Sequence, residues 1–191
     1  MVQSEERDKC VWTLTTCGEF TIRSMYLMIK ALQVRCHFRK LWFIKVPLKI
    51  TVILWLMFKN SVLTRDNLAK RNWAGSKRCS FCDSDESIRH LFLDCPLAKI
   101  LWRSIHIAFN VTPLNSINTL FGTWLDGIDF ATARHIRVGV CALLWAVWNC
   151  RNDLVFNRTT NIHFLQVISR ATALIRMWSL LTPTEARERM V

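Results

Sequence analysis

Residues 79–95, CSFCDSDESIRHLFLDC, place Cys79, Cys82, His90 and Cys95 in the spacing Cys-x2-Cys-x7-His-x4-Cys. Zinc favours four soft or borderline ligands in a tetrahedron, and three thiolates with one imidazole nitrogen supply that set. A Cys-x2-Cys turn lets two sulfurs converge on one ion. The spacing predicts a short helix over 86–94 that carries His90, with Cys95 closing the site at its end. All four coordination positions then belong to the protein. No position stays open for water or substrate, so the expected cofactor is a structural Zn2+.

Outward from this cluster the chain has the composition of a folded protein. It has 191 residues, is 51% apolar and contains nine Trp. That suits one domain with a real core, or two small ones. No secretory leader is visible, because the charged N-terminus MVQSEERDK lacks an apolar stretch. The longest uncharged apolar runs, Ile50 to Phe58 and Val138 to Trp148, fall short of the roughly 20 residues that span a bilayer. A soluble, intracellular protein with no membrane partner is expected. In a reducing compartment clustered cysteines read as metal ligands. Cys10, Cys17, Cys36, Cys141 and Cys150 lack metal spacing and read as buried or incidental thiols. His37, His106, His135 and His163 read as ordinary histidines.

The net charge of +12 favours an anionic partner, nucleic acid first. Its distribution is uneven. Residues 41–78 carry eight Lys or Arg (45, 49, 59, 65, 70, 71, 77, 78) against Asp66, whereas 79–110 balance to −1. The sign changes at the first cysteine. Three thiolates, a neutral His and Zn2+ sum to −1, and Asp83, Asp85 and Glu86 add to it. The metal loop should therefore repel phosphate. The expected nucleic-acid contacts lie just before it, at Lys70, Arg71, Lys77 and Arg78, with Trp73 and Phe81 placed to stack on bases. A solvated helix face and two core aromatics explain the same residues equally well.

The local patterns predict a mainly α fold with a short N-terminal β-hairpin, a helical zinc-binding domain and a C-terminal helical pair. Val11 to Leu14 and Phe20 to Ile22 read as the hairpin strands around Gly18, and Ser24 as the cap of a helix running toward Val34. After Pro47, LKITVILWLMFKN reads as a buried helix. LTRDNLAKRNW reads as a short one, capped by Thr64, with Leu68 and Ala69 facing inward and Gly75 ending it. Pro96 suits the first turn of PLAKILWRSIHIAF. RHIRVGVCALLWAVWNCRNDLVF and IHFLQVISRATALIRMWSLL read as the final pair, with Asn161 capping the second. The expected organisation is a zinc-binding domain over 8–109 that includes the hairpin, a linker over 110–130, a helical region over 131–182 and a frayed tail over 183–191.

The stretch from LWFIKVPLKITVILWLMF through LTRDNLAKR, the two cysteines, HLFLDCP and the Trp six residues beyond that proline resembles a known family. It is the zinc-binding domain that follows the reverse transcriptase in plant LINE-type (non-LTR) retrotransposons. VWTLTTCGEFTIRSMY is similar to that family's lead-in, and LLWAVWNCRNDLVFN to a block found after the domain. The resemblance runs from about residue 8 to 157. It implies that Cys79, Cys82, His90 and Cys95 bind zinc and that the parent polyprotein grips RNA or DNA with this region. A Tyr- or Phe-x-Asp-Asp polymerase signature is absent, and the chain reads as the C-terminal piece of such an element. No catalytic residue is assigned, and a non-enzymatic module is expected.

Two working roles follow. One is a module that binds RNA or single-stranded DNA. The other is a zinc-stapled scaffold that docks on the retroelement reverse transcriptase, with a relic lacking a selected function as a further reading.

Overall fold

The computed structural model describes residues 11–13, 15–31, 39–120 and 123–179. The chain divides into two units, Met1–His37 and Phe38–Val191. The expected tail over 183–191, the end of the first helix near Val34, and Cys10, Cys36 and His37 lie outside the described residues.

In the first unit the expected hairpin does not form. No strand occurs among the described residues, and Leu14, at the end of the first expected strand, lies outside them. Residues 15–21 make a loop that folds back on Trp12: the Trp12 amide donates to the Gly18 carbonyl at 2.8 Å and the Gly18 amide to the Thr15 carbonyl at 3.2 Å. Two short β-forming segments without a third strand have too little pairing to hold a ladder. Side chains close the loop instead. Trp12 meets Phe20 edge-on at 4.9 Å, and its indole N–H donates to Ser24 Oγ at 2.8 Å. Gly18 has φ +72, a conformation that favours glycine.

Helix α1 (Ile22–Ala31) follows. Its cap is Thr21 rather than Ser24. The Ser24 amide donates to Thr21 Oγ1 at 3.0 Å while the Thr21 amide reaches back to Ser24 Oγ at 3.4 Å. The pair forms a reciprocal capping box with Ser24 in its third helical position.

In the second unit, α2 (Leu48–Phe58) starts after Pro47, as the sequence predicts, and buries Ile50, Thr51, Leu54 and Met57. It ends at Phe58, and the chain turns away at Asn60, in the left-handed region at φ 51. Helix α3 (Arg65–Ala69) has Thr64 at its N-cap position, though without a side-chain capping bond. Its inward residue is Asn67, whereas Leu68 and Ala69 are only half-buried. The Asn67 amide donates to the Asn60 and Val62 carbonyls at 2.9 and 2.8 Å, so a polar residue takes the buried place by satisfying the backbone of the turn beneath it. The helix ends at Ala69, before Gly75, and the chain turns at Asn72, φ 62.

Helix α4 (Pro96–Phe109) has Pro96 in its first turn and buries Ala98, Leu101 and Trp102. The stretch expected as a linker, 110–130, lies within this same unit and sends Val111, Ile117, Leu120, Trp124 and Leu125 into the core. Helix α5 (Phe130–Val155) starts at Asp129, whose carboxylate accepts the Thr132 amide at 2.9 Å. Helix α6 (Phe164–Ser179) packs along α5 and buries Val167, Ala171 and Trp178. Asn161 does not cap it: the His163 amide donates to Gln166 Oε1 at 3.0 Å one residue before the helix.

Helix α5 has 26 residues and is long and apolar enough to cross a bilayer by length and composition. The apolar runs quoted above are shorter because arginines and a histidine punctuate it. In this fold 56% of its most apolar window is buried, and it is the central helix of the core.

Asp153 near the end of α5 holds Arg170 of α6 at 2.5 Å and Arg158 at 3.5 Å. The Arg170 hydrogen bond keeps the Asp153 carboxyl below its usual range. A carboxylate held low in the folded state contributes stability above its unfolded pKa, and that contribution disappears as pH falls through the folded value. The stability difference between wild type and Asp153→Asn is therefore expected to be full at pH 6 and to close below about pH 4. Urea midpoints of both proteins across that range provide the check, and a gap that widens on acidification would refute the assignment.

Candidate metal centre

The two N-terminal ligands sit on a tight turn. The Cys79 amide donates to the Ser84 carbonyl at 2.7 Å and the Glu86 amide to Lys77 at 2.8 Å, around a single antiparallel bridge between Arg78 and Asp85. Within the turn the Phe81 amide points at Cys79 Sγ, 3.4 Å away. Such N–H groups favour sulfur in its thiolate form.

The other two ligands flank a π-helical turn, His90–Asp94. In an α-helix five residues would carry Cys95 about 140° round the axis from His90. The wider π turn, closed by the Cys95 amide donating to the His90 carbonyl at 2.7 Å, brings both ligands to one side. Ser87 Oγ accepts the His90 amide at 3.0 Å and fixes where the turn begins. Leu91, Phe92 and Leu93 drive the rest of the turn into the core. The Phe92 carbonyl receives the Trp102 indole N–H at 2.6 Å. The Trp six residues beyond Pro96 thus locks the turn to α4.

The ligand atoms of Cys79, Cys82, His90 and Cys95 all lie within 4.8 Å of one another. His90 Nε2 is 3.1 Å from Cys82 Sγ, and Cys95 Sγ is 4.0 Å from Cys82 Sγ. Zn–S bonds of about 2.3 Å in a tetrahedron place two sulfurs about 3.8 Å apart. The donor set and its spacing suit a zinc ion. Without a cation the thiols compete for protons: the hydrogen bond to Cys95 is the main cause that pushes the Cys79 thiol up, and the same bond holds Cys95 low. Amides at the start of α4 favour the Cys95 thiolate further. Cys79 and Cys95 are buried, whereas Cys82 and His90 are half-buried.

Outside the ligands stands a group that the sequence reading misplaced. Glu86, counted among the acids expected to make the metal loop repel phosphate, is 1% exposed. Its two oxygens accept Arg151 Nε at 3.2 Å and NH2 at 2.6 Å, and Oε1 also accepts the Arg65 amide at 2.9 Å. Arg151, 3% exposed, donates further to the Leu63 carbonyl and to Asn152, and lies 5.1 Å over the Trp148 ring. The signal available in the sequence was Arg151 itself, a cation at the end of an apolar helix that had to find a buried acid. Arg65 was counted only as one of the basic residues of 41–78. Its guanidinium instead donates to the Ser76 and Arg78 carbonyls and to Ser80 Oγ.

The expected nucleic-acid residues are spread along this clamped loop. Lys70, Arg71, Lys77 and Arg78 are exposed. Lys70 leans on Asp66 and Asn67, and Arg78 stands 3.7 Å from the fully exposed Asp83. Arg71 and Lys77 have no ion pair among the described residues. Trp73 is 43% exposed, whereas Phe81 is half-buried and packs on the core. His106, expected to be ordinary, lies beside Trp102 and has its pKa lowered by burial.

Residues 20–102 match the family described as zinc-binding in reverse transcriptase. That stretch is similar to the zinc-binding domains of reverse transcriptases. All four clustered ligands fall inside the matched residues. The chain is also 30% identical over 102 residues to an Arabidopsis thaliana protein provisionally named a ribonuclease H protein, a match that covers 50% of this chain and 16% of the relative. No solved structure matches the chain.

Two measurements test the centre. Purified protein is expected to hold one equivalent of zinc, lost in Cys82→Ser and His90→Ala; less than about half an equivalent in well-folded wild type would sink the assignment. Arg151→Ala is expected to lower the unfolding free energy of the zinc-loaded domain by about 3–5 kcal/mol, because it strands a buried carboxylate. The double variant Glu86→Leu/Arg151→Met is expected to recover most of that loss in urea titrations. Equal destabilisation of single and double variants would show that charge burial is not the cause.

Proposed function

We propose that the zinc-binding domain is a non-catalytic module in which a structural zinc holds a basic loop against single-stranded RNA or DNA. The observation that carries this reading is the Arg65 clamp. By capping carbonyls at residues 76 and 78 and the Ser80 hydroxyl, it ties the loop to the metal turn while leaving the loop's own cations outside. Lys70, Arg71, Lys77 and Arg78 would meet phosphates, and Trp73 would stack on a base. The expected contact at Phe81 is weaker, since that ring is committed to the core. The reverse-transcriptase setting of the family and the ribonuclease H name of the relative both belong to nucleic-acid enzymes, which supports a nucleic-acid partner and an origin in a retroelement. The catalysis named for the relative is assigned here to parts of such proteins outside the matched region.

A second reading is a docking surface for the reverse transcriptase. It is favoured by apolar side chains left in solvent: Trp42 and Phe43 in a 3-10 turn, and Leu48 and Val52 one turn apart on α2, at 48%, 69%, 69% and 38% exposure. A soluble monomer free of self-association in sedimentation runs would count against it.

Anisotropy titrations with a labelled single strand test the first reading. Changing Lys70, Arg71, Lys77 and Arg78 to Ala is expected to flatten the slope of log affinity against log salt by about 3, since each single-strand phosphate contact contributes about 0.7. An unchanged slope would rule the loop out. Trp73 is tested without altering charge: its ring stands 1.9 Å from where a Cβ at Gly75 would lie, so Gly75→Ala must swing the ring away. About a tenfold loss of affinity is expected, in line with the loss of one stacked base.

A further inference from the structure

The −1 balance of residues 79–110 in the linear sequence is undone by the fold. Glu86 is consumed by Arg151 in the interior, and Asp83 and Asp85 stay on the metal turn. The cations of the same segment, Arg89, Lys99 and Arg103, gather round one cavity of about 420 Å3 between the π turn and α4, which Trp102, His106 and Asn115 also line. We propose that this cavity is a second anion site, which takes a phosphate group of the bound nucleic-acid strand.

Three features support it. Lys99 and Arg103 are one helical turn apart on α4 and repel each other, an arrangement that an anion between them would relieve. Both are exposed, and neither has an acid partner among the described residues. Asp94, the one acid on the cavity wall, is held by Arg89 at 3.0 Å, so that pair balances and the two α4 cations remain uncompensated.

The uncharged lining completes the site. His106 Nε2 accepts the Leu114 amide at 3.3 Å, which leaves the ring neutral with its proton on Nδ1. Burial, which pushes its pKa down, keeps it so. Asn115 brings an amide donor, while Leu93, Leu114 and the buried Trp102 form an apolar wall that concentrates the field of the cations. The size lies in the range of small-ligand pockets, about 300–1,000 Å3, which admits a nucleotide phosphate.

The choice of a strand as the source of the phosphate rests on the nucleic-acid reading above; the anion site itself rests only on its own residues. The zinc-loaded full chain is titrated with inorganic phosphate at low salt, following the Asn115 side-chain amide and Arg89 Nε signals by NMR. Saturable shifts at millimolar phosphate are expected, and they should vanish in Lys99→Ala/Arg103→Ala, two exposed positions whose change leaves zinc content intact. Absent shifts, or shifts that persist in the double variant, overturn the site.

A labelled single strand is then titrated against the same variant and against the loop variant. About a tenfold loss with Lys99→Ala/Arg103→Ala supports the strand as ligand. Phosphate shifts combined with unchanged strand affinity overturn the strand and leave a site for free phosphate. Strand binding that survives the loop variant but not the cavity variant sinks the loop reading and upholds this one.

Discussion

The ion pair between Glu86 and Arg151 joins residues 65 positions apart and closes the second unit around the metal turn. Two buried charges stabilise a fold only when nearly every polar atom finds a partner, because desolvating each ion costs several kcal/mol. Here that condition is met. Glu86 accepts three hydrogen bonds and Arg151 donates four, among them one to the Leu63 carbonyl just before α3. One contact therefore fixes the metal turn, the entrance to α3 and the last turns of α5. Apolar packing could hold these elements together, but it would tolerate sliding. A bidentate guanidinium–carboxylate pair does not.

The second unit divides its cohesion between two kinds of material. Ordinary burial governs α2, α4, α5 and α6, with Ile50, Leu54, Leu101 and Val167 almost entirely hidden. The stretch from Ser76 to Asp94 has little regular structure beyond one bridge and one π turn. It is organised by directed contacts: the Arg65 clamp, the Ser87 hydroxyl, the Trp102 indole and the four converging ligands. Its most exposed part is also the part proposed to meet nucleic acid. A loop that offers its cations to solvent cannot be held by burying them, so its backbone is held instead.

What could be read from the sequence follows the same division. The four ligands, Pro47 and Pro96 as helix starts and the apolar length of α2 were legible because each rests on local spacing or backbone chemistry. The N-terminal hairpin was not, since β-forming residues such as Val11 and Phe20 report only that an extended chain is tolerated. Whether a ladder forms depends on partners elsewhere. Ser24 and Asn161 were sound capping residues in the wrong register, and Thr21 and His163 hold the first positions. The burial of Asn67 and Glu86 could not be read from their polarity. Asn67 is buried by the carbonyls of Asn60 and Val62 in the turn just before it, which side-chain polarity does not report, and Glu86 by Arg151, 65 positions away and outside any local window.

Cys95 belongs to three structures at once. Its sulfur completes the ligand set, its amide closes the π turn, and it immediately precedes Pro96 at the start of α4. An ion held there cannot leave by breaking one bond. Releasing Cys95 frees the end of one turn and the beginning of the next helix together, so opening has to be a concerted local unfolding event. The lifetime of the bound ion is then set by the opening rate of the protein rather than by the strength of a sulfur–metal bond. The domain would keep its metal through brief exposure to a strong chelator and lose it on the timescale at which α4 lets go.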